Sequence, residues 1–311
     1  MSDQSIPAEA LPVTTRPPGE AVDSPVRRIA RQFAEDRVAF GGLVIFAVIV
    51  GLAVFAPWLA PQNPYDLAQL SIMDGGLAPG EAGFSGEVYW LGTDAQGRDM
   101  VSAIIYGLRI SLLVAAASLG AAIAIGVVVG VAAAYIGGRV DSLIMRVVDL
   151  QLSFPAILIA LILLALLGRG VDKVILALVL VQWAYYARTV RSSAIVERGK
   201  EYIDAARCLG LSHRRIMFRH LLPNCVPPLI VVATVQIAQA IALEATLSFL
   251  GVGVPITEPS LGLLIANGYD YLLSGRYWVS LFPGIALVVT IISINVVGDR
   301  LRDVLNPRLQ T

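Results

Sequence analysis

Long runs with few or no charged residues constrain this 311-residue chain more than any other feature. About 20 helical residues, rising 1.5 Å each, cross the hydrocarbon core of a bilayer. Charged residues make up 15% of the chain, whereas soluble domains carry about 25%. We therefore predict an all-α membrane protein with six transmembrane helices. The runs cover residues 38–60, 110–138, 150–168, 174–187, 221–250 and 277–298.

The fourth run, 174–187, is about 21 Å long as a helix and is too short to cross the bilayer alone. Two explanations are open. Neighbouring protein can shield a longer helix, or Arg188 and Arg191 can lie in the span and reach the membrane surface with their side chains.

The runs and the segments between them divide the chain into five parts. Residues 1–25 are rich in Pro, Ala, Thr and acids without periodicity, which predicts a disordered tail. A cleaved signal peptide is the alternative for the first run, but that run is longer than a signal segment and prolines follow it. The parts are the tail 1–25, an anchor with the first helix 26–60, an external loop 61–107, a core 108–300 with five helices, and a second tail 301–311.

The distribution of positive charge predicts the orientation of these helices. Cytoplasmic segments of membrane proteins carry an excess of Lys and Arg. Most of the 23 such residues lie on one side if both termini are cytoplasmic, and many fall between the fourth and fifth runs. We therefore expect cytoplasmic N- and C-termini.

The charged loop at 197–224, between the fourth and fifth runs, has the pattern of a short helix that ends at a glycine. Glu201 and Asp204 suit the positive end of a helix dipole, and Gly210 can adopt the left-handed conformation that terminates helices. A second short helix is expected to carry Ile216 towards the membrane. An ordinary positively charged loop is the alternative. His213 and the other nearby histidine are expected to be solvated, with no metal site.

The order of residues in this loop resembles a known motif. It runs Asp204-Ala205-Ala206, then Gly210, Ile216 and Leu222-Pro223, similar to the EAA motif of ABC importer permeases. Asp204 stands in place of the usual glutamate.

A second resemblance narrows the family. The segment before the second run looks like the external signature of the dipeptide/oligopeptide (DppC/OppC-type) permeases. It contains Gly92, Thr93, Asp94, Gly97, Arg98 and Asp99. Further similar segments are 146–155, 244–251 and 306–309.

This resemblance implies an ABC importer (type I) permease fold in the bacterial inner membrane, with a cytoplasmic coupling helix at 204–210. The implied partners are a homologous DppB/OppB-like permease, two ABC ATPase subunits, an extracytoplasmic substrate-binding protein and membrane lipid, without nucleic acid. The implied cargo is a di- or oligopeptide. A nickel chelate, glutathione or another small solute is the alternative.

The sequence indicates no ATPase site, cofactor or metal in this chain. A Walker A loop places Gly-Lys before Ser or Thr, and neither Lys173 nor Lys200 has that context. An intramembrane enzyme would need catalytic motifs that the runs lack.

Two acids near or within the runs are candidates for the translocation path or for contacts between helices. Burying the charge of Glu244 costs about 2.5–3.5 kcal/mol on insertion scales, so it should face protein or water. It is expected to make a structural hydrogen bond, while a proton-coupled secondary transporter would use it as a relay. Asp149 is expected to pair with Arg146, three residues earlier.

Overall fold

The computed structural model describes residues 31–84 and 86–305, which fold into α-helices joined by loops and short 3₁₀ turns. The predicted tail 1–25 and the similar segment 306–309 lie outside these residues. The α-helices are α1 (Arg37–Val54), α2 (Ala56–Leu59), α3 (Met100–Ile136), α4 (Gly138–Leu152), α5 (Ala156–Leu167), α6 (Val171–Arg198), α7 (Glu201–Cys208), α8 (His213–Phe249), α9 (Leu261–Tyr269) and α10 (Trp278–Leu305). The 3₁₀ turns are Leu67–Gln69, Ile72–Asp74 and Leu272–Ser274.

Five helices, α1, α3, α6, α8 and α10, are long and apolar enough to cross a membrane. The pair α4–α5 passes the same test together but is bent by 89°. The described residues therefore give five crossings, or six if the bent pair counts as one. This architecture confirms the predicted all-α membrane protein.

The third crossing differs from the straight helix predicted over 150–168. The helix α4 ends at Leu152, and α5 begins only at Ala156. Pro155 separates them because its ring clashes with the carbonyl four residues earlier and it has no N–H to donate. With 12 residues, α5 spans about 18 Å, which is less than the hydrocarbon core.

The fourth crossing is a full helix of 28 residues, α6. Its most apolar window is 56% buried, the largest share among the five long helices. Glycines on α3 allow this close approach, because a Cβ on Gly126 would lie 2.5 Å from that of Tyr186. One on Gly130 would lie 2.5 Å from the Ala187 carbonyl oxygen. Shielding by protein therefore explains the short apolar run, and the small residues pack helices within the chain.

The helix α3 begins at Met100, inside the segment predicted as loop 61–107. Asp99 is its N-cap, since its Oδ2 accepts a 2.8 Å hydrogen bond from the Ser102 backbone N–H. Such a cap satisfies an N–H group that has no partner within the helix. The 37 residues of α3 form one uninterrupted helix of about 55 Å.

The segment after the fifth crossing contains a short helix, α9. Ser260 caps it by accepting a hydrogen bond from the Leu263 N–H. The helix packs closely on α8, since a Cβ on Gly262 would lie 2.1 Å from the Ala245 carbonyl oxygen.

Candidate functional site

The loop between α6 and α8 carries the predicted short helix, α7, and its ends agree with its charges. Glu201 and Asp204 lie in the first turn and Arg207 in the last, which complements the helix dipole. Asp204 Oδ1 also accepts a 2.9 Å hydrogen bond from Arg207. Gly210 follows with φ +69°, the left-handed conformation predicted for it.

One face of α7 rests on the first turns of α8. Ile203 and Ala206 are buried there against Ile216 and Leu221, each at most 5% exposed. We call these four residues the coupling-loop core. Burial of apolar area is the main force that holds such a short helix in place.

The opposite face of α7 lies open. Asp204, Ala205, Arg207 and Cys208 are exposed, and Leu209 at its end is 79% exposed. Ala205 and Ala206, adjacent in the motif, therefore point in different directions. The alanine pair of the motif is divided between the outer surface and the core.

The second short helix predicted in this loop is the beginning of α8, which continues without a break into the membrane. It opens with an α-helical turn at His213–Arg215 and passes through a π-helical turn at Ile216–Leu221. Leu222 is half-buried and Pro223 is exposed. The wide turn ends two residues before Pro223, whose missing N–H interrupts the regular hydrogen bonds. Further prolines, Pro227 and Pro228, follow.

A polar network fastens α7 to its neighbours. The Tyr202 hydroxyl donates to Glu197 Oε2 at 2.8 Å and accepts from Asn224 Nδ2 at 3.0 Å. Lys200 Nζ pairs with the other Glu197 oxygen at 2.5 Å. Burial, and then the hydrogen bond to the carboxylate, raise the pKa of Tyr202 to about 12. The phenol therefore keeps its proton and its donor role at physiological pH.

Sequence reasoning missed Tyr135, which joins α3 to this loop. Its hydroxyl lies 2.6 Å from His213 Nδ1, and the guanidinium carbon of Arg207 lies 5.8 Å from its ring centroid. His213, expected to be solvated, is exposed but holds this hydrogen bond. No local pattern marks the contact, because 78 residues separate the two side chains.

The external signature contains a buried ion pair. Arg98 Nε donates to Asp94 Oδ2 at 2.7 Å, with both side chains at most 3% exposed. Asp94 Oδ1 also accepts from the backbone N–H groups of Gln96 and Arg98. These bonds satisfy the buried carboxylate, as charges removed from water require.

The rest of the signature shapes the loop around this pair. Gly92 and Gly97 have φ values of +77° and +76°, which glycine adopts without strain. A Cβ on Gly97 would lie 2.0 Å from the Ser71 carbonyl oxygen. The Thr93 hydroxyl accepts from the Leu77 N–H at 2.8 Å. In this structure the signature residues mainly hold the loop together.

Glu244 is fully buried in α8 and accepts two hydrogen bonds from serines. Ser111 of α3 donates to Oε2 at 2.7 Å, and Ser248 donates to Oε1 at 2.8 Å. Ser260, the cap of α9, also interacts with the carboxyl group. Glu244 therefore links three helices, α3, α8 and α9.

Asp149 pairs with a different arginine from the one predicted. Its Oδ1 forms a salt bridge with Arg188 of α6, and both side chains are about half exposed. Arg146 lies on the same helix as Asp149 but is not its partner here. The i, i+3 spacing was a local signal, whereas the actual contact bridges α4 and α6.

Comparison with known families gives two matches. Residues 126–311 match the family described as binding-protein-dependent transport system inner membrane component. Residues 24–79 match the N-terminal TM domain of oligopeptide transport permease C.

Individual proteins are similar along most of the chain. A di/tripeptide transport system permease protein, DppC, of Pseudomonas aeruginosa (strain UCBPP-PA14) is 36% identical, covering 94% of this chain and 95% of that protein. A dipeptide transport system permease protein, DppC, of Alkalihalophilus pseudofirmus is 34% identical, covering 93% and 91%. A chain of the inward-facing MetNI methionine ABC transporter has a TM-score of 0.54 at 22% identity, covering 67% of this chain and 98% of that one. This last likeness shows the fold, which is that of a type I ABC importer permease.

Proposed function

Since the chain belongs to the family of binding-protein-dependent transport system inner membrane components, we propose that it is the permease subunit of an ATP-driven importer of di- or oligopeptides. It forms half of the translocation path, and a homologous permease forms the other half. Two ABC ATPase subunits supply the energy, and an extracytoplasmic binding protein delivers the substrate. The relatives named for di- and tripeptide transport support the peptide class.

The division of α7 into two faces is the observation that carries this proposal. The inner face is fixed by the coupling-loop core, so the helix is a rigid projection from the membrane domain. The outer face presents Asp204, Ala205 and the exposed side chain of Leu209. A short helix with an apolar residue at its end suits a groove on another protein. We assign that groove to the ATPase subunit.

Adjacent cysteine substitutions test this contact. In a Cys208→Ser background, Ala205→Cys and Ala206→Cys each receive a photo-crosslinker on the new thiol, in the complex with both ATPases. We expect crosslinks to the ATPase from position 205, which is exposed, and none from position 206, which is 5% exposed. Absence of ATPase crosslinks from position 205 would contradict the proposal.

The two native cysteines test the proposed cytoplasmic position of this loop. Cys208 is exposed and Cys225 is buried. A membrane-impermeant maleimide should label Cys208 in inverted membrane vesicles and leave it unmodified in intact cells. The Cys208→Ser variant should remain unlabelled in both. Labelling of Cys208 from outside intact cells would reverse the proposed topology.

The cargo is tested by uptake in cells that express this permease with its partners. Labelled di- and tripeptides should accumulate in an ATP-dependent manner, and excess unlabelled peptide should compete. Glutathione and a nickel chelate are the alternative cargoes. If glutathione or the nickel chelate accumulates and peptides do not, the protein is still an importer subunit, but its substrate is not a peptide.

A proton-coupled transporter would use Glu244 as its relay. Each carboxylate oxygen accepts a hydrogen bond from a serine, Ser111 or Ser248. The side chain therefore already connects neighbouring helices. This geometry favours the ATP-driven importer, whose family needs no proton relay in the permease.

A further inference from the structure

Tyr135 lies at the end of α3, where α3, α6, α7 and α8 meet. Arg198 of α6 donates from Nη1 to the carbonyl oxygens of Ala134 and Tyr135, at 2.6 and 3.1 Å. The last carbonyls of a helix have no partner within it. Arg198 therefore supplies the missing donor and holds the end of α3 against α6.

The Tyr135 side chain continues from this fixed backbone to both helices of the loop. Its hydroxyl is hydrogen-bonded to His213 at the start of α8, and the two rings meet edge to face with centroids 5.5 Å apart. Arg207 of α7 lies over the tyrosine ring in a cation–π arrangement. A single side chain thus contacts both helices that form the loop.

These contacts differ in kind from those of the coupling-loop core. The apolar packing of Ile203 and Ala206 is non-directional and holds α7 on α8. A hydrogen bond weakens steeply when its length or angle departs from the optimum. Helix shifts in switching proteins are commonly about 1–2 Å, so the 2.6 Å hydrogen bond between Tyr135 and His213 stays formed only if the end of α3 moves with the loop. The junction therefore ties the end of α3 to movement of α7 and α8.

The helix α3 is suited to carry such movement across the protein. It runs without interruption from Tyr135 to its opposite end, where Asp99 caps it beside the buried Asp94–Arg98 pair. We propose that Tyr135 is a positioning residue that passes displacement of α7 and α8 to α3. This inference rests on the proposed function, since it assumes that ATPases move the loop.

Conservative variants of the complete importer test the inference. Tyr135→Phe removes the hydroxyl and keeps the ring beneath Arg207, and His213→Ala removes the other partner. We expect each variant to retain the wild-type amount of bound ATPase. Loss of one hydrogen bond should lower peptide transported per ATP hydrolysed by about three- to tenfold. The double variant should match His213→Ala, because the hydroxyl that Tyr135→Phe removes has then already lost its partner.

Tyr185→Phe is the matched control. Tyr185 lies on α6 with 40% exposure, and within the described ranges its hydroxyl makes no hydrogen bond. This variant should keep the wild-type ratio of transport to ATP hydrolysis. If Tyr135→Phe folds poorly, His213→Ala provides the same readout at an exposed position.

The outcomes separate the inference from the proposed function. A wild-type complex without ATP-dependent uptake would refute the proposed function itself. A coupled wild-type complex in which Tyr135→Phe and His213→Ala keep the normal ratio would overturn only the inference. Additive losses in the double variant would also overturn it, because they would show that the two residues act separately.

Discussion

Gly210 allows the conformational and the contact roles of a glycine to be separated. Its φ is +69°, and an added Cβ would have no atom within 4 Å in the described chain. Substitution therefore costs backbone strain and no clash within the permease. A residue with a Cβ in the left-handed conformation costs about 1–2 kcal/mol. Asparagine costs less than alanine, because it adopts this conformation more readily.

The expected effect follows from that strain. If the strain moves the loop out of its native conformation in most molecules, only the remaining native fraction binds the ATPase. The apparent affinity for the ATPase then falls in proportion to that fraction. For Gly210→Ala, 1–2 kcal/mol corresponds to about a five- to thirtyfold weaker apparent affinity. Gly210→Asn should lie between alanine and the wild type. The assay is titration of the purified ATPase onto the permease complex in detergent or nanodiscs.

Gly199 provides the matched control at the other end of the same loop. Its φ is −82°, and a Cβ there would meet only the Val196 carbonyl oxygen, at an ordinary 3.7 Å. Gly199→Ala should bind ATPase as the wild type does. The reverse order at position 210, with asparagine worse than alanine, would refute the reasoning. It would show that the glycine makes room for the partner, since asparagine is larger.

Three further predictions concern the membrane domain and its outer loop, with thermal unfolding in detergent as the measurement for the first two. Gly126→Ala forces a Cβ to within 2.5 Å of another side chain and should destabilise the fold by about 1–3 kcal/mol, whereas Gly120→Ala on the same helix meets nothing within 4 Å and should not. Asp94→Ala strands a buried guanidinium and should cost about 3–5 kcal/mol, whereas Glu35→Ala breaks an exposed pair and should leave stability nearly unchanged. Glu244→Gln keeps a hydrogen-bonding group and should retain ATP-dependent uptake within about threefold, since one hydrogen bond contributes about 1 kcal/mol or less.

Each of these predictions has an outcome that contradicts it. Equal unfolding temperatures for the two glycine variants would mean that α3 and α6 do not pack as described. A mild effect of Asp94→Ala would mean that Arg98 reaches water or another partner. Complete loss of uptake in Glu244→Gln, with normal amounts of complex, would support a proton relay.

Local signals in the sequence predicted much of the coupling loop. The charges of Glu201 and Asp204 and the glycine at position 210 located α7 and its end correctly, because helix dipoles and left-handed caps depend on a few adjacent residues. The same reasoning did not separate Ala205 from Ala206. Which alanine is buried depends on the position of α8, and that is a tertiary contact.

The errors elsewhere have the same origin. The apolar run 150–168 concealed a break, because hydropathy ignores the geometry that Pro155 imposes. Asp149 was assigned to Arg146 by spacing along a helix, although its partner Arg188 is 39 residues away. Contacts between distant segments need the packing of helices before they can be recognised.

The two faces of helix α7 have a consequence for how a permease of this kind can change its ATPase partner. The residues proposed to meet the ATPase and the residues that keep the permease folded lie side by side within the short segment 201–209. Changes at Asp204, Ala205 or Leu209 can retune partner choice without disturbing the interior. A new pairing between permease and ATPase is therefore accessible through single surface substitutions. Ile203 and Ala206, in contrast, are constrained by the packing of the permease itself.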